Sequence, residues 1–400
     1  MRKRFLSVIL AILVPLLLVI IVCYALCAPT SFCFFVDRWV SSPDYSPDGD
    51  RIAYRCHYPT LSQAIDDVSR DFGQASFLFQ WGYISQATEI CAAHTDGSHS
   101  VRLTDNQATD GLPAWSPDGQ LIAYISEPPY APGSTTGQAL YTVSDDGSEP
   151  RRLSEDLKLI WEKPAWSPDG KKVSFAATDP LEQGQGINLY LADLESEAVR
   201  ELTVLPGDEL GALWSPDGTQ LAFVWYPEAY GGDCPVCSEN AAIRIIDAEG
   251  ENDTVVEDFA NIGGLTWSPD GRRLAFWGSG STDCSDDDCT ELYVLDLSSG
   301  SVECLTGQYE LRWIEDTVWS PDGERIAFTA RAPKAAALYT ITPDGDSLTP
   351  LTSAAAYAGR DLVWAPDGKS IVFVRGVEGE KWHIWSVEVE SGRLTRLKTP

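Results

Sequence analysis

Histidine and methionine are scarce in this chain of 400 residues, with four His and one Met. That leaves little material for a His-rich metal centre. Cations are also few, 29 Lys and Arg against 59 Asp and Glu, so the formal net charge is −30. A surface of that sign repels phosphate backbones, which excludes nucleic acid as a partner. No G-x-S-x-G elbow occurs, so the nucleophile turn of an α/β-hydrolase is missing from this sequence. What is plentiful is Trp (14), Pro (25) and Gly (32), a balance that points to strands and turns rather than helices.

The first residues read separately from the rest. Arg2, Lys3 and Arg4 precede an uncharged run from Phe5 to Leu26. About 22 residues at ~1.5 Å each span roughly 33 Å, enough for a hydrocarbon core. Cations ahead of the run predict a cytoplasmic N-terminus with all that follows outside. A cleaved signal peptide has a shorter apolar region and a small-x-small site, and Ala25-Leu26-Cys27 is a poor one. The sequence therefore predicts a tip and transmembrane anchor at 1–27 and a linker at 28–37, in a single-pass protein of the cytoplasmic membrane.

The remainder repeats one unit. Tyr45-Ser46-Pro47-Asp48-Gly49 is followed by WSPDG starting at Trp115, Trp166, Trp214, Trp267 and Trp319, and by WAPDG at Trp364. Tyr54, Tyr124, Phe175, Phe223, Phe276, Phe328 and Phe373 each stand at the same distance beyond. A period of roughly 50 residues belongs to propeller blades. Pro presets the first central turn position, Asp suits the second, and Gly supplies the permissive backbone after it. The turn thus links an inner strand to a second such as 120–125. Third strands follow at 140–144, 189–193, 243–247, 292–296, 338–342 and 384–387, and fourth strands around Arg152-Leu153-Ser154, Glu201-Leu202-Thr203 and Cys304-Leu305-Thr306.

These residues resemble the TolB-type β-propeller repeat family, in which a WSPDG turn joins an IAF-like strand. The resemblance covers about 38–400 and implies fold more than activity. The separate α/β domain that precedes the TolB propeller is not visible. The expected architecture is all-β: a seven-bladed β-propeller of four-stranded antiparallel blades at 38–400, preceded by one N-terminal transmembrane helix. The first blade carries an insertion at about 58–86.

In such a blade the first and third turns share one end and are short here. The other end holds the variable loops, where function settles on a rigid scaffold. The candidates there are Trp161, Glu162, Asp208, Glu209, Tyr309, Arg312, Trp313, Glu315, Asp316, Tyr357, Arg360 and Asp361. Aromatics among carboxylates suit a cationic peptide, a sugar or a divalent ion, or else pack between blades with the acids solvated.

Ten Cys, seven of them in the exported region after Cys33, fit an oxidising compartment. Cys56 and Cys91 fall opposite one another on neighbouring strands. Cys234 with Cys237 and Cys284 with Cys289 are local pairs, read as disulfides in preference to a four-thiolate zinc site. No metal site and no cofactor is expected. Asp283, Asp286, Asp287 and Asp288 attract Ca²⁺ by charge alone but lack the spaced oxygens and Gly of an EF-hand, so the run reads as a solvated acidic loop. The expected function is a non-catalytic scaffold for a protein, peptide or glycan on the variable face. The alternative is a carbohydrate-active propeller, either a polysaccharide lyase or hydrolase or a carbohydrate-binding module.

Overall fold

The computed structural model describes residues 40–57, 88–129, 137–154, 157–179, 186–227, 241–279, 290–332, 335–352, 361–376 and 382–397. The run Phe5–Leu26, the linker and the insertion at 58–86 lie outside them. All that follows concerns the compact unit Trp39–Tyr58 with Tyr83–Pro400. Every regular element among the described residues is a strand. None of them contains a helix long and apolar enough to cross a membrane.

The repeated turn is built by its own side chains. In Ser116-Pro117-Asp118-Gly119 the Gly119 N–H donates to the Ser116 carbonyl at 2.9 Å. Ser116 Oγ donates to Asp118 Oδ1 at 2.6 Å and accepts the Leu121 N–H at 2.9 Å. The same bonds recur at Ser46, Ser167, Ser215, Ser268 and Ser320. Gly119 has φ +71°, a left-handed conformation that costs other residues ~1–2 kcal/mol. A Cβ there would stand 3.4 Å from Pro47 of the preceding turn, and one at Gly49 the same distance from Pro366 of the last. Successive turns touch, and the first touches the last.

From each turn the chain runs outward through antiparallel partners. Thr109–Trp115 pairs with Leu121–Glu127, that strand with Ala139–Ser144, and that with Arg151–Arg152. The final set follows the same order, ending with Leu394–Arg396 on His383–Glu388. Two details depart from expectation. The fourth strands begin earlier than predicted, at Val199–Glu201 and Ser301–Cys304, and the following Leu-Ser or Leu-Thr leaves the ladder. There the hydroxyl takes over a backbone role: Ser154 Oγ accepts the Leu140 N–H at 2.9 Å, and Thr306 Oγ1 that of Leu292 at 2.9 Å. The inner strand before Trp166 is also split, into Lys158–Leu159 and Ala165–Trp166, which leaves Trp161 and Glu162 in the break.

Alternation along the second strand decides how units meet. Ala53, Ala123, Ala222, Ala275 and Ala327 are fully buried, and each packs in a cluster with the large residues of the following unit. Ala275, for example, lies against Ile326 and Phe328. A small residue on one face makes room for a bulky pair on the other, and neither face reaches water. Val372 takes the same position in the last unit and packs on Ile52 and Tyr54 of the first. Trp166, Trp267 and Trp364 add a directional bond, each donating Nε1–H to the carbonyl before the Trp of the preceding unit, Ala114, Leu213 and Val318.

Candidate functional site

The start of each inner strand lies at the variable end. Most of these strands carry a register shift there, as between Ser41 and Asp44, Gly111 and Ala114, and Leu210 and Leu213. Three residues before the turn aromatic the backbone is left-handed, at Ser42, Leu112, Gly211, Gly264, Asp316 and Asp361. A bulge releases backbone groups from the ladder, so they need other partners.

Carboxylates of neighbouring units supply them. Asp361 Oδ2 accepts the Ser42 N–H at 2.9 Å, and Asp316 Oδ2 accepts the Asp361 N–H at 2.7 Å. Glu162 Oε1 accepts the Gly211 N–H at 2.7 Å. Asp44 Oδ2 accepts the Trp115 N–H at 2.7 Å, while its Oδ1 pairs with Lys163 Nζ at 2.6 Å. The result is a collar in which the carboxylate of one inner strand holds the backbone of another. Protein surrounds Glu162, although solvent still reaches part of it, and this crowding pushes its carboxyl up to about 7.

Deeper acids do structural work. Glu209 is fully buried, accepts the N–H groups of Leu189 and Leu205 at 3.2 and 3.3 Å, and receives the Thr203 hydroxyl. Asp208, also buried, accepts the Ile187 N–H at 2.8 Å. Glu89 accepts the Thr104 hydroxyl at 2.7 Å and the Asn106 N–H at 3.2 Å. Burial raises Glu89 and Glu209 to about 7 and raises Asp110 as well.

The predicted candidates thus divide. Trp161, Glu162, Asp316 and Asp361 belong to inner-strand starts. Trp313 is there too, 36% exposed, and Glu315 pairs with Thr329. Asp208 and Glu209 turn into the interior. Tyr309 is drawn away, its hydroxyl donating to the Gly345 carbonyl at 2.8 Å in the turn after Ala335–Ile341. The backbone of Arg312 pairs with Arg331. Tyr357 and Arg360 lie outside the described residues, as do Cys234, Cys237, Cys284, Cys289 and the Asp283–Asp288 acids. Cys56 and Cys91 form a disulfide with Cα atoms 5.9 Å apart, and Cys304 is free and exposed. Among the described residues no group of three or more His, Cys, Asp or Glu could hold a metal ion.

Sequence reasoning missed Asp44, Glu89, Arg55 and Lys163. The recurrent Leu-Ser or Leu-Thr after the fourth strand was the available signal for Glu89, since Thr104 and Thr203 hold the buried glutamates. Arg55 stacks over the Trp161 ring at 5.4 Å from its centroid.

Comparison with known proteins adds a family and a correction. Residues 76–226 and 236–399 match the TolB beta propeller domain, and 183–286 match the dipeptidyl peptidase IV N-terminal region. An uncharacterized peptidase of Bacillus subtilis (strain 168) is 27% identical over 239 residues, 59% of this chain and 29% of that protein. Dipeptidyl-peptidase 5 of Porphyromonas gingivalis is 23% identical over 253 residues, 54% of this chain and 36% of that one. The chain spans about a third of the length of these peptidase relatives. Among solved structures, a puromycin-hydrolyzing peptidase of Mycobacterium tuberculosis superposes with a TM-score of 0.64 at 16% identity, over 90% of this chain and 53% of that one. An oligogalacturonate lyase in complex with manganese gives 0.63 at 14%, over 89% and 91%. The propeller of the trilobed protease of Pyrococcus furiosus gives 0.63 at 14%, over 91% and 96%. These superpositions speak for the fold alone. The expectation of a non-catalytic scaffold, and with it that of no enzyme, is overturned by the peptidase relatives. With most of its length matched, the chain belongs to the TolB-type β-propeller family.

Proposed function

We propose that this chain is the propeller of an enzyme system that hydrolyses peptides, receiving the peptide at the collar of its variable end. The observation that carries this is sequence similarity to two peptidases, joined to the dipeptidyl peptidase IV match at 183–286. No G-x-S-x-G elbow is present in the sequence, so hydrolysis is assigned to a catalytic unit working with the propeller. Trp161, Trp313, Glu162, Asp316 and Asp361 are its peptide-facing side chains in this reading, aromatic platforms among acids that suit amine and backbone N–H groups.

The propeller has seven blades in this proposal, a count supported by seven turn copies and by the packing of Val372 on Ile52. Phe5–Leu26 is its membrane anchor, supported by the uncharged run, with the blades outside the cytoplasmic membrane. The Cys56–Cys91 bridge favours that compartment. Local disulfides Cys234–Cys237 and Cys284–Cys289 belong to the same reading.

The test uses the full chain, crosslinked in the membranes of cells that make it and captured with whatever it holds. The captured material is assayed on peptidyl nitroanilides and on oligogalacturonate. Peptide turnover that is lost when the chain is absent supports the proposal. Cleavage of oligogalacturonate with no action on peptides overturns it.

A further inference from the structure

Arg55 lies on the strand Arg51–His57, half-buried, and is fixed from three sides. Its Nε donates to Thr88 Oγ1 at 3.0 Å, and that hydroxyl donates onward to the Asp110 carbonyl at 2.7 Å. Its guanidinium stands over Trp161. Its Cδ and the Trp161 ring close over Gly111, where a Cβ would lie 3.2 and 2.8 Å from them. Any side chain at 111 would push the ring or the arginine aside.

Thr88 and Trp161 leave the fork itself open among the described residues. Among the described residues no carboxylate pairs with Arg55, and its two terminal nitrogens make no hydrogen bond. That is unexpected in a chain with two acids for every cation. Arg244 offers the contrast: it stacks over Trp225 at 4.9 Å, yet its fork is closed by Asp253. Lys163, near the same inner strands, is likewise taken by Asp44. Burial lowers the pKa of Arg55, the sign of a desolvated cation without compensation. The acids on adjoining elements weaken the opposing field, since Glu89, Asp110 and Glu162 are all raised by burial.

A planar guanidinium held over an indole, with its fork unfilled among the described residues, matches a carboxylate in bidentate geometry. We infer that Arg55 is the receptor for a carboxylate of the bound peptide, with Trp161 as its backing and Thr88 setting its angle. This inference rests on the peptide reading above. The carboxylate is either the C-terminus or an acidic side chain, and the probes separate the two.

Three N-acetylated tetrapeptides are titrated into the full chain and followed by calorimetry: Ala₄ free acid, Ala₄ amide, and an amide with Glu at the third position. One of the two acidic probes is expected to bind at least ~10-fold more tightly than the neutral amide, as a charge-assisted bidentate pair requires. Arg55→Met should abolish that preference while the thermal midpoint stays near that of the parent. Arg55→Lys keeps the charge without the fork and should cut the preference by most of its size. It also decides the matter if Arg55→Met fails to fold, because an undiminished preference in Arg55→Lys overturns the inference. Equal binding of all three probes overturns it and leaves the peptide reading standing. Binding of none overturns both.

Discussion

Asp361 accepts the backbone N–H of Ser42 at 2.9 Å, although 319 residues separate the two along the chain. Asp361 itself is left-handed, φ 68°, and its own N–H is held by Asp316. The bond joins the last inner strand to the first, where among the described residues no strand is exchanged between the ends and packing of Val372, Val374 and Ile384 on Ile52 and Tyr54 does the rest. A bond to a charged acceptor contributes roughly 1.5–3 kcal/mol. Asp361→Gly removes the acceptor while tolerating the positive φ, so urea unfolding should show a loss in that range. Asp361→Asn keeps an oxygen acceptor and suits the left-handed region, and should lose less than half as much. Equal losses for both would show that the bond itself does not hold the seam.

Much of this fold was legible from repeated local chemistry. Ser116, Asp118 and Gly119 each satisfy a need of the turn that no neighbour supplies, so seven copies announce seven turns, and the Ala between Ile122 and Tyr124 announces a close-packed face. The collar was less legible. Its left-handed position is filled by Ser42, Leu112, Gly211 and Asp361 in different units, with no shared residue type, because the bulge is imposed by the ladder rather than by the side chain. Asp208 and Glu209 read as loop acids, and only the placement of Thr203 and Ile187 shows them to be interior. The peptidase connection could not be read from the repeat, since the blade chemistry is the same whatever unit the propeller serves.

The turn tryptophans are not equivalent. Trp166 Nε1 donates to the Ala114 carbonyl at 2.9 Å, whereas the buried Trp115 Nε1 has no hydrogen-bond partner. Replacing either with Phe removes similar apolar area, but only Trp166→Phe breaks a hydrogen bond. Trp166→Phe should therefore be less stable than Trp115→Phe by ~1 kcal/mol. Paired denaturation curves measure the difference, and a reversed order would count against the assigned partners.

The Cys56–Cys91 bridge closes a loop with a sequence separation of 35, and both sulfurs are buried in the cluster that joins the first unit to the last. Cross-linking a loop of that length restricts the unfolded chain by roughly 3–4 kcal/mol. The double variant Cys56→Ala with Cys91→Ala should lose ~2–4 kcal/mol in guanidinium unfolding under non-reducing conditions. Trypsin should also cut more readily near the ends of the loop. An unchanged midpoint would mean that the packing of Tyr54 and Val372 alone carries this region.

Stability should have an acidic optimum, because two sets of carboxylates pull in opposite directions. Glu89 and Glu209 are raised from 4.5 to about 7, so the unfolded chain gives up their protons first. Their share of stability is complete below about 4.5 and falls away as the pH rises toward about 7. The turn aspartates, among them Asp48, Asp118, Asp270 and Asp322, are lowered by their serine hydroxyls. Their share is present above 3.8 and is lost as the pH drops below it. Thermal midpoints should therefore peak near pH 4–5 and decline toward pH 8, a decline that relief of the −30 net charge on acidification also favours. The variant Glu89→Gln with Glu209→Gln isolates the share of these two glutamates. It removes only the buried pair from the titration, so it should flatten the limb between pH 5 and 7 by ~1–3 kcal/mol while leaving the acid limb in place. A limb as steep as that of the parent would deny Glu89 and Glu209 their raised protonation and leave the decline to Glu162, Asp110 and surface repulsion.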